Sequence, residues 1–262
     1  MKSLLPLSII LAGLSTGCAL ENLESDENEL AGANYVAMGD SYASGTGTRE
    51  YYHSGCQRSN HSYAKQLAAA RGLNLSHVAC SGARIPDVRA NQLGALSAST
   101  NLVTISIGGN DAGFSSVITQ CAKPWPYTCT TEINNARNFI NNTLPGQLNA
   151  LYTEIDTRAP NAQVIVVGYP RLFNGEECNL LARISPTEQS DLNAVADLLA
   201  TKISAAAAAR GFDFVDARGP FQPHRICDDV EWLNGLSNPV GESYHPNKIG
   251  HDAFTDLINA RL

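Results

Sequence analysis

Apolar runs rich in β-branched residues alternate with helical stretches along most of the chain, and this alternation limits the fold more than any other feature. It is typical of an α/β domain whose helices cover a parallel sheet. The predicted strands are 35–38, 75–79, 102–107, 164–168 and 212–215. The predicted helices are 62–71, 131–157 with a break near Pro145, 186–210 and 247–262. Residues 34–262 are therefore predicted to form a single three-layer α/β/α domain around a five-stranded parallel sheet.

The N-terminus has the features of an export signal. Lys2 precedes an apolar run at 4–14 that is too short to span a bilayer. The sequence LSTGC at 14–18 resembles the lipobox of bacterial lipoproteins, although Leu is usual where Ser15 stands. We predict a signal peptide at 1–17 and lipidation of Cys18, which would hold the exported protein on a membrane of the cell envelope. Ordinary signal cleavage, giving a secreted soluble protein, is the alternative.

The segment at 18–33 is interpreted as an acidic, solvated tether. It contains no basic residue, and its acidic residues are Glu21, Glu24, Asp26, Glu27 and Glu29. The whole chain has 25 Asp and Glu against 18 Lys and Arg, for a formal net charge of −7. There is no excess of basic residues to neutralise a phosphate backbone, so no nucleic-acid partner is expected.

The chain has seven cysteines, an odd number that requires an explanation in an exported protein. Lipidation of Cys18 leaves six, which allow fifteen pairings among which the sequence does not choose. Pairing of neighbours would close loops of about 25, 9 and 50 residues. Because there is no C-x-x-C pair and no Cys/His ligand spacing, disulfides are favoured over a metal site.

Glycines and polar residues follow three of the predicted strands. They are the GDS sequence at 39–41, SG at 81–82 and GGND at 108–111, and ESYHP stands near the C-terminus at 242–246. Ligands of an α/β sheet bind beyond the carboxyl ends of its strands. A serine hydroxyl needs a base to act as a nucleophile at neutral pH, and an imidazole can supply it. We therefore predict Ser41 and His245 as a catalytic dyad. No cofactor-binding motif is present, and no cofactor is expected.

In this order, the motifs resemble the SGNH (GDSL) hydrolase family, whose four namesake residues match Ser41, Gly82, Asn110 and His245. The sequence VAMGDSYASG at 36–45, HPN at 245–247 and the six-cysteine layout resemble the secreted actinobacterial esterase, lipase and phospholipase branch. The resemblance covers about 34–262.

The resemblance implies a flavodoxin-like fold and an acyl-enzyme formed on Ser41. It also implies an oxyanion hole made of the backbone N–H groups of Ser41 and Gly82 and the side-chain amide of Asn110. Glycine is expected at 82 because the absence of a Cβ lets the backbone approach the reacting atoms. The disulfide prediction adopted with this family is the neighbour pairing, Cys56–Cys80, Cys121–Cys129 and Cys178–Cys227.

Two groups are candidates for orienting His245. The family commonly has Asp three residues before this histidine, where the chain has Glu242. In the branch that the chain resembles, a backbone carbonyl near this position does the same work. We favour the carbonyl, which leaves Glu242 as a solvated loop acid or a partial substitute. Asp111 is expected to brace the loop of Asn110, and His251 to be a hydrogen-bonded packing residue.

The motifs specify acyl transfer to water but not the acyl group. The predicted function is carboxylic-ester hydrolysis, of the esterase, lipase or phospholipase A kind, on a small-molecule or lipid ester. The alternatives are a carbohydrate (acetyl) esterase or acyltransferase on cell-surface glycans and a non-catalytic surface lipoprotein. The PWPY sequence at 124–127 is either an apolar wall for an acyl chain or a rigid loop. The protein is expected to be a monomer.

Overall fold

The structure is a computed structural model, and it describes residues 30–124, 126–179 and 181–262. The predicted signal peptide, Cys18 and the tether up to residue 29 lie outside the described residues. At the end of the predicted tether, the backbone N–H of Gly32 donates to the carbonyl of Gly72 at 2.8 Å. No helix in the described part of the chain is long and apolar enough to cross a membrane.

Five parallel strands form the central sheet, as predicted. In chain order the strands are β1 (Asn34–Gly39), β2 (Tyr51–His53), β3 (Arg58–Ser59), β4 (Asn74–His77), β5 (Leu102–Ser106), β6 (Gln163–Val167) and β7 (Asp213–Val215). The sheet has the order β4-β1-β5-β6-β7, which is the flavodoxin-like arrangement. The strand order reverses between β1 and β5. The crevice beyond these two strands is therefore the expected place for a ligand.

Helices cover both faces of this sheet. They are α1 (Ser41–Ser44), α2 (Tyr63–Arg71), α3 (Ile85–Asn91), α4 (Phe114–Cys121), α5 (Thr130–Asn142), α6 (Leu144–Arg158), α7 (Pro186–Ala208) and α8 (Lys248–Asn259). α2 packs against α8, and α7 packs against both α5 and α6. Every residue of β5 is buried, as expected for a strand with helices on both faces. The three-layer prediction is confirmed.

The local helix signals were accurate where they were strong. The helix predicted at 131–157 is two helices, α5 and α6, that meet next to Pro145. α7 begins as predicted, because the Ser185 side chain caps it and the Glu188 carboxylate accepts a hydrogen bond from the Ser185 N–H. α3, α4 and the antiparallel β2–β3 hairpin were not predicted. α4 follows Gly113 without a polar capping side chain, so no start signal marks it.

The three disulfides join neighbouring cysteines, which confirms the predicted pairing. They are Cys56–Cys80, Cys121–Cys129 and Cys178–Cys227. The first ties the segment after β2 to the loop that follows β4. Disulfides of this kind are typical of proteins exported to an oxidising environment.

Candidate active site

The chain turns sharply from β1 into α1, and Ser41 is the first residue of the helix. Gly39 has φ +118°, and a Cβ at this position would lie 2.1 Å from the carbonyl oxygen of Ser106 on β5. Only glycine fits there. Asp40 caps α1, because its carboxylate accepts from the Tyr42 N–H at 3.0 Å. These contacts hold Ser41 at the carboxyl edge of the sheet.

His245 lies next to Ser41. Its Nε2 is 2.8 Å from the Ser41 Oγ, and its Nδ1 is 2.8 Å from the carbonyl oxygen of Ser243. A carbonyl only accepts, so Nδ1 carries the proton and Nε2 is left to accept from the serine hydroxyl. Burial lowers the pKa of His245 to about 4. The Ser243 carbonyl and the negative charge of Glu242 oppose this shift. The imidazole is therefore neutral at pH 7.

Asn234 holds the loop that carries His245. Its backbone N–H donates to the His245 carbonyl and its carbonyl accepts from the Tyr244 N–H, both at 2.8 Å. Its side-chain amide donates to the Gly47 carbonyl at 2.8 Å. Tyr244 has φ +62°, and the Tyr42 hydroxyl donates to its carbonyl at 2.9 Å. The strained residue before the imidazole is thus fixed from two sides.

Glu242 is not the solvated loop acid that the sequence suggested. It is 2% exposed, and its carboxylate accepts from the Gly47 N–H at 2.8 Å and from the Tyr51 hydroxyl at 2.5 Å. Glu242 is the last residue of a 3₁₀ turn at 240–242, and its carboxylate has no hydrogen bond to the imidazole. Of the two candidate orienters, the structure places the carbonyl of Ser243 on His245.

Of two further predicted residues, Asn110 lines the same cavity as Ser41, and Gly82 lies on the loop between β4 and α3. The Asn110 side-chain amide donates one hydrogen bond to the Ala83 carbonyl at 3.0 Å, which leaves its second N–H for another acceptor. The Cys80 N–H donates to the Gly39 carbonyl at 3.0 Å and so holds the loop of Gly82 against the end of β1. The backbone N–H groups of Ser41 and Gly82 donate to no other described residue.

A second reason for glycine at 82 is its backbone conformation. A Cβ at this position would meet no protein atom within 4 Å, so no neighbouring protein atom requires glycine here. Its φ of +81° does, because this conformation is strained for other residues. Asp111 accepts from the Ile85 N–H at 3.0 Å and therefore braces the start of α3 against the loop of Asn110.

Sequence reasoning missed two residues that support this edge of the sheet. Gln92 accepts from the Gly39 N–H at 2.7 Å and donates to the Gly39 carbonyl at 2.9 Å. Tyr169, directly after β6, donates its hydroxyl proton to Asp40 at 2.5 Å. Burial raises the pKa of Asp40 to about 7, and the hydrogen bond from Tyr169 opposes the shift. The position of Tyr169 after a strand was the available signal, whereas nothing in the sequence marks Gln92.

A cavity of about 320 Å³ opens beside Ser41 and His245. Most of its wall is apolar, and includes Phe114, Ile118, Ala122, Tyr169, Leu172, Ala196, Leu199, Leu236, Val240 and Tyr244. The predicted wall at 124–127 does not contribute among its described residues, and Tyr127 is 59% exposed. α4 supplies that wall instead, because its apolar face is turned to the crevice. Trp125 lies outside the described residues.

Two other histidines, His77 and His251, are buried. His251 on α8 is a packing residue, as predicted, and its ring lies 6.2 Å from that of Tyr63 and 6.5 Å from that of Phe254. Neither ring nitrogen has a partner within 3.5 Å among the described residues, whereas burial lowers the pKa of this imidazole and the Thr46 backbone opposes the shift; the expected hydrogen bond stays a prediction. His77 is structural, with Nε2 3.0 Å from the Ala43 carbonyl.

Comparison with known proteins places this geometry in a family. A model of the GDSL-like Lipase/Acylhydrolase family matches residues 37–253. Lipase 1 of Streptomyces coelicolor is 41% identical over 254 residues, which are 94% of each chain. A crystal structure of an extracellular lipase from Streptomyces rimosus has a TM-score of 0.82 at 40% identity, covering 87% of this chain and 99% of that one. A phospholipase A1 from Streptomyces albidoflavus NA297 has a TM-score of 0.83 at 37% identity, covering 88% and 100%. The chain therefore belongs to the GDSL-like lipase/acylhydrolase family of ester-bond hydrolases.

Proposed function

We propose that the protein hydrolyses carboxylic esters through an acyl-enzyme on Ser41, with His245 as the base. The observation that carries the proposal is the 2.8 Å contact between the Ser41 Oγ and the His245 Nε2 on the wall of an apolar cavity. The neutral imidazole is ready to accept the hydroxyl proton at pH 7, because burial lowers its pKa to about 4.

The reaction has two steps. The Ser41 Oγ attacks the ester carbonyl carbon while its proton passes to His245 Nε2, and the carbonyl oxygen becomes an oxyanion. Collapse of this intermediate expels the alcohol, which takes the proton from Nε2. Water then attacks the acyl-enzyme while the same imidazole takes its proton; collapse breaks the bond to the Ser41 Oγ, which receives that proton from Nε2, and releases the carboxylic acid. Nδ1–H stays on the Ser243 carbonyl, which supports the imidazolium formed in each step.

The oxyanion is stabilised by the N–H groups of Ser41 and Gly82 and by the Asn110 side chain. This assignment is supported by the two backbone N–H groups that have no partner among the described residues and by the spare N–H of Asn110. Donors that are already oriented cost no reorganisation when charge develops.

The cavity favours esters with a long acyl group. An acetyl group would fill little of 320 Å³, and the walls offer apolar side chains rather than the donors and acceptors that recognise a sugar. Among the described residues that line the cavity there is no Lys or Arg, so the cavity suits the acyl chain and not a phosphate headgroup. The names lipase and phospholipase A1 of similar proteins support this substrate class over a glycan esterase and a non-catalytic lipoprotein.

Hydrolysis of p-nitrophenyl esters from acetate to palmitate tests this function. We expect the full chain to cleave them with an optimum beyond butyrate, and the folded Ser41→Ala and His245→Ala variants to lose at least about 10³-fold in kcat. Ser41→Ala activity above about a tenth of that of the unchanged protein would contradict the nucleophile assignment. An optimum at acetate would contradict the acyl-chain assignment.

We also propose that 1–17 is a signal peptide, that Cys18 is lipidated, that 18–33 is the tether and that 34–262 is the catalytic domain, which acts as a monomer. The disulfides use six of the seven cysteines and leave Cys18, which supports the anchor. Mass spectrometry of the mature N-terminus should find a lipid on Cys18, and Cys18→Ala should release the protein from the membrane fraction. An unmodified mature N-terminus would favour the secreted soluble form.

A further inference from the structure

Tyr169 connects three neighbouring strands at the carboxyl edge of the sheet. It follows β6, while Asp40 follows β1 and Gly109 follows β5, and these strands stand in the order β1-β5-β6. The Tyr169 hydroxyl donates to the Asp40 carboxylate at 2.5 Å and accepts from the Gly109 N–H at 3.2 Å. One hydroxyl therefore bonds the residue before Ser41 and the residue before Asn110.

We propose that Tyr169 is a positioning residue for ester hydrolysis, whose hydroxyl fixes the oxyanion-binding Asn110 relative to the nucleophile Ser41. This inference rests on the proposed function of these two residues. Tyr169 itself touches neither of their reacting atoms, and its effect on the reaction passes through Asp40 and Gly109.

A hydroxyl is required because the same atom must both donate one hydrogen bond and accept another. Asp40 is 1% exposed and its carboxylate needs a donor, whereas the Gly109 N–H needs an acceptor. Phenylalanine would leave both buried groups without these partners. Since neither strand end would then be held to Tyr169, the two loops could move relative to each other.

The tyrosine ring is fitted closely to this place. A Cβ at Gly109 would lie 3.3 Å from the Tyr169 Cζ and 3.4 Å from its hydroxyl oxygen, so glycine at 109 permits the approach. The ring also packs edge-on against Tyr42, with centroids 5.0 Å apart, and Tyr42 lies 5.5 Å from the His245 ring. The hydroxyl is thereby held in one position between the two loops.

A displaced oxyanion donor weakens the transition state more than the bound ester, because the oxyanion exists only in the former. We expect Tyr169→Phe to lower kcat about 10–100-fold and to change KM by less than about threefold. A role in packing or stability alone would leave kcat unchanged below the unfolding temperature. The split between kcat and KM therefore separates the two roles.

Tyr35→Phe is the matched control. Tyr35 is a fully buried tyrosine on β1 whose hydroxyl bonds Thr104 at 2.7 Å, and it lies at the opposite end of the strand from Ser41. Both substitutions remove one buried, hydrogen-bonded hydroxyl. We expect Tyr35→Phe to lower the thermal unfolding temperature without changing kcat.

The experiment compares the unchanged full chain, Ser41→Ala, Tyr169→Phe and Tyr35→Phe on p-nitrophenyl butyrate. Near-ultraviolet circular dichroism first establishes that each variant is folded. Inhibition by phenylboronic acid is measured in parallel. Its boron accepts a lone pair from the Ser41 Oγ while the hydroxyl proton passes to His245. The tetrahedral anion that forms resembles the tetrahedral intermediate of ester hydrolysis. Tyr169→Phe should weaken this inhibition by the same 10–100-fold as kcat.

Unchanged kcat and boronate inhibition in folded Tyr169→Phe would overturn the inference, as would equal losses in Tyr35→Phe. If Tyr169→Phe does not fold, Gly109→Ala, which displaces the hydroxyl without removing it, should show the same loss of kcat at constant KM. Unchanged kcat in that variant would also overturn it. Failure of the unchanged chain to hydrolyse any ester would instead refute the proposed function.

Discussion

Replacing Glu242 by alanine tests what this buried carboxylate does beside His245. The side chain accepts two hydrogen bonds, from the Gly47 N–H and the Tyr51 hydroxyl, and none from the imidazole. Hydrogen bonds to a buried charged group are worth roughly 1.5–3 kcal/mol each. We therefore expect Glu242→Ala to lower the free energy of unfolding by about 3–6 kcal/mol. The value of kcat should fall less than tenfold, because the Ser243 carbonyl still holds Nδ1.

Urea unfolding followed by circular dichroism gives the stability change, and kcat on p-nitrophenyl butyrate is measured where the variant is fully folded. Glu242→Gln keeps the size and one acceptor oxygen, so its loss of stability should be smaller. Glu188→Ala is a control that removes a carboxylate with hydrogen bonds to Ser185 at the start of α7, away from the site. A fall of about 10³–10⁴-fold in kcat for folded Glu242→Ala would refute this reasoning, since that is the size of effect seen when an orienting carboxylate is lost.

Three further outcomes follow from the same structure. The value of kcat/KM should fall at acid pH with a midpoint near pH 4, because His245 is a base only when neutral and protonates as the pH falls through its lowered pKa. A midpoint at pH 6–7 in the pH–rate profile would contradict this. Ala122→Phe should shift the p-nitrophenyl ester optimum to shorter chains by filling the cavity, while Ser116→Phe, on the exposed face of α4, should not; equal optima would remove Ala122 from the acyl site. Reduction of the disulfides should lower the free energy of unfolding, measured by urea titration, by about 2–4 kcal/mol for each bridge. The value of kcat on a short ester should stay unchanged at urea concentrations below the unfolding transition. A loss of kcat by the folded, reduced protein would show that a bridge shapes the site.

Much of the architecture could be predicted from short-range signals. Strand and helix patterns repeat within a few residues, and the Ser185 to Glu188 capping pair is read over four positions. Because strand ends of a parallel sheet share one edge, Ser41, Gly82 and Asn110 could be assigned to one site before any distance was known. α4 escaped prediction because Gly113 gives it no capping signal, although it forms one wall of the cavity.

The partners of individual polar side chains could not be predicted in this way. Glu242 bonds a backbone group 195 positions away, Tyr169 reaches Asp40 across 129 positions, and Gln92 reaches Gly39 across 53. A hydrogen bond depends on tenths of an ångström and on angle, whereas a sequence pattern specifies only the face or the edge on which a residue lies.

The sequence by itself determined the fold class, the use of six cysteines in disulfides and the residue types that meet at the carboxyl edge of the sheet. Only the tertiary structure decided that the Ser243 carbonyl faces His245, that Glu242 ties its loop to Gly47, and that Tyr169 bonds both Asp40 and Gly109. The physical reason is the distance along the chain over which each kind of interaction acts. Periodicity and capping act within one or two turns of chain, whereas these contacts form only after the packed layers have brought distant loops within hydrogen-bonding distance.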